Sequence, residues 1–256
     1  MIIAIVAFFG LIIGSFLNMV IYRLKNGGNM VFSRSKCTKC HHVLGASDLV
    51  PLFSFLWLRA RCRYCGQKIS WQYPLVELAT ALIFILGYFK FLPVDFGNIQ
   101  LSSYLTFLLI SSVLIVIFVY DLKYYLILDR ITLPAIVLSL LLNFLLGRSL
   151  VNLMIAALIG GCFFLLQFVL SKGKWIGGGD IRLGLLMGAI LGWPMVLVAL
   201  FLSYISGASV GIILIVFARK KWNSQIPFGT FLSACTILTM LYGDKLLNWY
   251  LSFSVY

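Results

Sequence analysis

The chain has 256 residues, 62% hydrophobic and 11% charged, with a mean hydropathy of +1.06. So little polar residue content excludes a soluble globule of this length and predicts a polytopic membrane protein with little mass outside the bilayer. The net charge of +13 follows the ends of apolar runs, the pattern of positively charged cytoplasmic loops, so no nucleic-acid partner is expected.

The first apolar run, 2–21, has no basic segment before it and no small-residue cleavage pattern after it. It is expected to remain as a membrane helix. Its Gly10 and Gly14 are four apart, a spacing that permits close helix contact. A polar stretch follows, with nine Lys and Arg between Arg23 and Lys68 opposed only by Asp48. Inside it, Cys37-x2-Cys40 and Cys62-x2-Cys65 are separated by twenty-one residues. Two such pairs can wrap one ion tetrahedrally, and soft thiolates suit zinc. An iron–sulfur centre and a redox pair are the alternatives, while paired disulfides are disfavoured inside a cell. Lys36, Lys39, Arg61 and Arg63 would favour the thiolate forms. His41 and His42 read as surface residues, because four cysteines already complete a tetrahedron. The apolar residues between Leu49 and Leu58 either form the core of this insert or rest on the membrane, where neighbouring basic residues attract anionic lipid headgroups.

Further runs at 75–91, 104–120, 131–146, 150–170, 181–191, 195–217 and 228–246 predict seven more helices. The expected fold is all-α: a polytopic membrane helical bundle of about eight transmembrane segments with a small cytoplasmic zinc-binding insert. Its parts are a first transmembrane helix at 1–22, the four-cysteine insert at 23–73 and a transmembrane core at 74–256. With both termini outside, the insert, Asp121, Asp129 and Asp180 face the cytoplasm, and Lys90, Arg148 and Lys245 lie outside. The run at 181–191 is short against the roughly 20 residues a span needs, and it stops at Gly192-Trp193-Pro194. Cys162 and Cys235, isolated in apolar runs, read as small buried hydrophobes.

Carboxylates are costly near a bilayer, so the seven acidic residues carry information. Asp95 and Asp244 read as solvated external charges. Glu77 is either a helix-start charge or a polar group in a cytoplasmic vestibule. Asp129 is a cap, a partner for Arg130, or a support for an active site. Asp121 follows the run 105–120, and Asp180 follows Gly177-Gly178-Gly179, which predicts an extended segment able to receive a peptide before a helix starts. Each can be a simple helix-end charge. Together they can form a dyad in which the ionised carboxylate activates water and the protonated one donates to the carbonyl oxygen or leaving nitrogen. From residues alone, a transporter site and a structural assembly protein remain competing readings.

At these positions the chain resembles the bacterial type 4 prepilin peptidases, integral-membrane aspartic proteases of the GxGD type. The resemblance runs through Gly14-Ser15-Phe16-Leu17-Asn18, Asp48-Leu49-Val50-Pro51, Arg61-Cys62-Arg63-Tyr64-Cys65 and Tyr73-Pro74-Leu75-Val76-Glu77. It continues through Asp121, Gly177-Gly178-Gly179-Asp180 and Ile226-Pro227-Phe228-Gly229. It implies cleavage of type IV prepilin or pseudopilin leaders after a glycine at the cytoplasmic face of the bacterial inner membrane. Asp121 and Asp180 would be the proteolytic pair, making 74–256 an aspartic peptidase core among membrane lipids. The resemblance also implies methylation of the new N-terminus with S-adenosyl-L-methionine, with Gly14, Asn18 and Glu77 as methyltransfer or substrate candidates. One structural Zn2+ per chain would sit on Cys37, Cys40, Cys62 and Cys65. The chain departs from the family pattern at Leu128, where proline is common, at Thr230, where proline is usual, and after Leu24, where a proline is often seen.

Overall fold

The computed structural model describes residues 1–27, 34–92, 97–218 and 226–254, and it divides into two compact units, Met1–Phe96 and Gly97–Tyr256. Among the described residues the regular structure is helical, with two isolated β-bridges inside the cysteine insert.

In the first unit, α1 (Ile2–Asn26) packs along α3 (Gln72–Phe91). Between them the insert carries a single 3-10 turn, Ala46–Asp48, and the short helix α2 (Phe53–Trp57). Arg23 and Lys25 lie in the last turn of α1, where cations complement the helix dipole. Pro74 is tolerated in α3 because it falls in the first turn, where an N–H has no intrahelical partner to lose. The two glycines of α1 set the helix separation. A Cβ on Gly10 would lie 2.6 Å from Ala81 Cα, and one on Gly14 would lie 2.6 Å from Glu77 Cα.

The second unit holds α4 (Asn98–Tyr124), α5 (Asp129–Leu145), α6 (Leu150–Ser171), α7 (Gly178–Leu191), α8 (Met195–Ala218) and α9 (Phe228–Ser254). Helix α7 is its centre, in contact with α5, α6, α8 and α9. Every residue from Leu186 to Leu191 is buried, so α7 is apolar on all sides because it is surrounded by protein. Gly184 and Gly188 let it press directly on α6: a Cβ on Gly184 would come within 2.5 Å of the Gly160 carbonyl oxygen.

The C-terminus of α7 is closed by polar side chains. Asn143 Nδ2 donates to the carbonyls of Ala189 at 3.1 Å and Ile190 at 3.3 Å, and Arg148 donates to Ile190 at 3.2 Å. These bonds serve carbonyls that a helix end leaves unpaired. The chain then turns at Gly192, whose φ of 73° suits glycine.

Among the described residues five helices, α1, α3, α4, α6 and α8, are long and apolar enough to cross a membrane. The expected count of about eight segments is not confirmed by these five. Helix α7, at 14 residues, rises only about 21 Å against a hydrocarbon core of roughly 30 Å. The cysteine expectation divides: Cys235 is buried beside the Ser206 hydroxyl, whereas Cys162 is exposed on the outward face of α6.

Candidate active site and four-thiol cluster

Asp121 sits in the last turn of α4 and is 4% exposed, while Asp180 is the third residue of α7 and is 8% exposed. Both lie in the second unit. Helix α9 packs against both α4 and α7.

The glycine run is arranged differently from the extended segment expected. Only Gly177 is extended, at φ −78° and ψ 154°; Gly178 and Gly179 already belong to α7. Asp180 is therefore not the N-cap. It sits at the third helical position, and its Oδ2 accepts the Gly177 N–H at 3.1 Å, satisfying a donor that the helix start leaves free. Gly179 is small for a packing reason, since a Cβ there would lie 2.8 Å from Ile127 Cβ.

Asp121 is held from the other side. Its Oδ2 accepts the backbone N–H of Thr230 at 2.9 Å, and the Gly229 amide adds a second hydrogen bond to the carboxylate. A Cβ on Gly229 would lie 2.9 Å from both Asp121 Oδ2 and Ile127 Cδ1. Ile127 thus wedges between the two glycines that flank the aspartates. Asp129 begins α5 and pairs with Arg182 of α7, not with Arg130, so the starts of these two helices are tied beside Asp180. An aromatic group lies alongside: Phe228 packs on Tyr204 at 5.1 Å and on Phe164 at 6.2 Å between ring centroids.

Sequence reasoning named Thr230 only as a departure from the family pattern, and it missed Ile127 and the partner of Arg182. The signal for Thr230 was present, because Ile226-Pro227-Phe228-Gly229 stands immediately before it. Chemically, the arrangement offers two buried carboxyl groups, each with its Oδ2 held by a backbone amide.

The remaining candidates meet in the first unit. Asn18, 1% exposed, donates from Nδ2 to the Gly14 carbonyl at 3.3 Å and the Tyr73 carbonyl at 3.1 Å, and its Oδ1 accepts from Gln72 at 3.2 Å. Glu77 lies beyond the first turn of α3, so it is not a helix-start charge. Its Oε2 accepts the Leu52 N–H at 2.9 Å, and Ser15 adds a further hydrogen bond to the carboxylate. Gly14 and Asn18 are therefore committed to joining α1 to α3. Glu77 links that pair to the insert.

The cysteines converge as the spacing predicts. The sulfur atoms of Cys37, Cys40, Cys62 and Cys65 all lie within 4.8 Å of one another, with Cys37 and Cys65 at 3.9 Å. A tetrahedral zinc with Zn–S bonds of about 2.3 Å requires sulfurs about 3.8 Å apart, so the set fits such an ion. Two similar turns build it. The Cys37 carbonyl accepts the His41 N–H at 3.1 Å, and the Cys62 carbonyl accepts the Gly66 N–H at 2.9 Å. His41 and Gly66 have φ values of 56° and 68°, the left-handed conformation that folds each turn back. His41 is thus a turn residue, and His42 stacks on Tyr64 with ring centroids 3.7 Å apart. Asp48 fastens the assembly through Arg63 at 2.8 Å and the Tyr64 hydroxyl at 3.2 Å.

The thiols share charge unevenly. Burial works to raise Cys37, but hydrogen bonds from the Cys40 and Lys39 amides and from the Cys40 and Cys62 thiols outweigh it, bringing the group down to about 6. At Cys65 the Gln67 amide favours the thiolate, yet burial and the three competing cysteines push the group up to about 11. Such crowding of thiols is what a divalent cation relieves.

The chain matches the bacterial peptidase A24 N-terminal domain over residues 8–91 and the type IV leader peptidase family over residues 108–212. The first match covers the four cysteines, and the second covers both aspartates. A prepilin leader peptidase/N-methyltransferase of Aeromonas salmonicida is 34% identical over 97% of this chain and 94% of the relative. Proteins of the same name from Bacillus subtilis and Pseudomonas aeruginosa are 32% and 31% identical, over 96% of this chain in each case and 97% and 92% of the relatives. No solved structure matches. With similarity of this extent along nearly its whole length, the chain belongs to the prepilin leader peptidase/N-methyltransferase family.

Proposed function

We propose that this chain cleaves the leader peptides of type IV prepilins or pseudopilins after a glycine at the cytoplasmic face of the bacterial inner membrane, with Asp121 and Asp180 as the reacting pair. The observation that carries this reading is that two buried carboxyl groups, from α4 and α7, are each anchored by a backbone amide on either side of Ile127, which packs against both Gly179 and Gly229. Two close carboxyl groups do not both ionise readily, so one keeps a proton. The ionised member takes a proton from water as the water oxygen attacks the scissile carbonyl. The protonated member donates to the carbonyl oxygen, and the proton taken up by its partner later goes to the leaving nitrogen.

Methylation of the newly exposed amine, with S-adenosyl-L-methionine as co-substrate, is the second activity we assign, supported by the relatives' names. Gly14, Asn18 and Glu77, which meet where α1, α3 and the insert join, are the residues assigned to this activity. Cys37, Cys40, Cys62 and Cys65 would hold one zinc ion, whose contribution is to fold the insert, a module with few buried apolar residues. On the same insert Trp57 is 86% exposed beside exposed Phe53 and Leu56, a composition suited to the lipid interface.

Incubating the purified protein with a prepilin and S-adenosyl-L-methionine, then weighing the products, tests both activities together. The expected product is a mature pilin cut after glycine and carrying one added methyl group. Intact prepilin after prolonged incubation would refute the peptidase reading. A cut but unmethylated product would refute the second activity alone.

A further inference from the structure

We infer that Arg61 and Lys68, held side by side on the second turn of the cysteine insert, bind the headgroup phosphate of an anionic phospholipid. The inference is independent of the assignment of Asp121 and Asp180. The Cys62 N–H donates to the Gln67 carbonyl at 2.8 Å, and the Ile69 N–H donates to the Ala60 carbonyl at 2.7 Å. These two bonds bracket the antiparallel bridge between Arg61 and Lys68. A pair bracketed in this way is of the non-hydrogen-bonded kind, with Cα atoms about 4.5 Å apart and side chains on one face. Both residues are exposed. The one carboxylate of the insert, Asp48, is already engaged by Arg63 at 2.8 Å and by the Tyr64 hydroxyl at 3.2 Å.

Like charges placed directly opposite one another weaken a bridge. The first cysteine turn shows that the fold does not need them. It is closed in the same way, by the Cys37 N–H on the His42 carbonyl at 3.0 Å and the Leu44 N–H on the Ser35 carbonyl at 2.9 Å. Its bracketed pair is Lys36 with Val43. A cation at Lys68 thus opposes folding of the second turn, and an anion held by both side chains removes the repulsion. Position selects the anion. Lys68 lies four residues before Gln72, where α3 begins, and α3 is long and apolar enough to cross a membrane. Leu52, the N-cap of α2, donates its N–H to Glu77 of α3 at 2.9 Å, and Phe55 packs on Trp71 at 5.1 Å between ring centroids. Helix α2 is therefore fastened to the first turns of α3. The Ala60 N–H donates to the Phe55 carbonyl at 2.8 Å and ties the Arg61–Lys68 turn to α2. Leu75 and Leu78 are exposed on those turns of α3, as Phe53, Leu56 and Trp57 are on α2. Exposed tryptophan and leucine at the start of a span mark the headgroup layer, where a guanidinium can take two phosphate oxygens and an ammonium a third.

The test titrates the purified full-length protein, in a neutral detergent, with phosphatidylglycerol or with phosphatidylcholine, and reads binding from the rise in melting temperature. Phosphatidylglycerol is expected to raise the melt of the parent, and phosphatidylcholine to raise it less. Lys68→Gln should weaken the apparent affinity for phosphatidylglycerol about fivefold, and Arg61→Gln combined with Lys68→Gln about twenty-fivefold. Lys68→Arg keeps the charge and should stay within about twofold of the parent. Lys36→Gln removes the same charge from the matching place in the first turn and should also stay within about twofold. Without lipid, Lys68→Gln should melt no lower than the parent, because the repulsion across the bridge is gone. A lower melt there would overturn the argument, since it would give Lys68 a folding role. An unchanged affinity in Lys68→Gln, or an equal loss in Lys36→Gln or Lys68→Arg, would overturn the site. Inorganic phosphate that raises the melt as far as phosphatidylglycerol does would assign the pair to a soluble anion and overturn the lipid.

Discussion

Two adjacent glycines before Asp180 look equivalent in sequence and are not equivalent in space. A Cβ on Gly178 meets nothing within 4 Å, whereas one on Gly179 lies 2.8 Å from Ile127 Cβ and 3.3 Å from its Cδ1. Carbon atoms in contact prefer about 3.5–4.0 Å, so Gly179→Ala requires Ile127 to retreat by about 0.7 Å or α7 to shift by that amount. Ile127 has little room, because it also fills the space beside Gly229, where a Cβ would lie 2.9 Å from Ile127 Cδ1. The displacement therefore passes to the starts of α7 or α9, which hold Asp180 and Asp121 respectively. Misplacing reacting groups by about 1 Å can cost about a hundredfold in rate, and overpacking costs about 1–3 kcal/mol of stability. Gly179→Ala is expected to lower kcat/KM about tenfold to a hundredfold, and Gly178→Ala to remain within about twofold of the parent, since alanine favours a helix over glycine. Cleavage of a prepilin peptide, followed by mass spectrometry and accompanied by a thermal melt of each variant, measures both effects. Equal loss from the two substitutions, or full activity in Gly179→Ala, would refute the packing argument.

Metal analysis of the intact protein is expected to find one zinc per chain, and Cys62→Ser to lose it together with protease resistance of the insert. Absence of zinc from protein purified without chelator would contradict this. Asn143→Ala strips donors from the Ala189 and Ile190 carbonyls at the end of α7. Buried carbonyls left short of partners cost about 1–3 kcal/mol, so its melting temperature should fall while kcat/KM measured well below the melt is retained.

Much of the architecture was legible because apolar runs report helices directly. The runs at 75–91 and 195–217 correspond to α3 and α8, each with ends shifted by a few residues or fewer. The thiol cluster was equally legible, since two CxxC pairs have one common way to share an ion. What the sequence did not reveal were partnerships between distant segments. Asp129 lies next to Arg130 in the chain but pairs with Arg182, because successive helical residues point in different directions while the starts of α5 and α7 adjoin. The glycine run suggested extended backbone because glycine permits it. Gly178 and Gly179 are helical, and Gly179 answers to the width of Ile127, a residue more than fifty positions away. Thr230 was noticed for a missing proline, but its consequence, a donor for Asp121, depends on how α9 meets α4. Cys162 shows the same limit from the other side: an apolar run identifies a helix, but a single position in it does not say which face is buried.

The central claim is that Asp121 and Asp180 together activate one water. Its most direct test is single-turnover cleavage of a prepilin by Asp121→Asn and Asp180→Asn proteins shown to fold as the parent does. Asparagine preserves the shape and the amide contacts' acceptor oxygen while removing the ionisable group. The account expects no cleavage above background from either protein. Turnover near that of the parent by either one would contradict it.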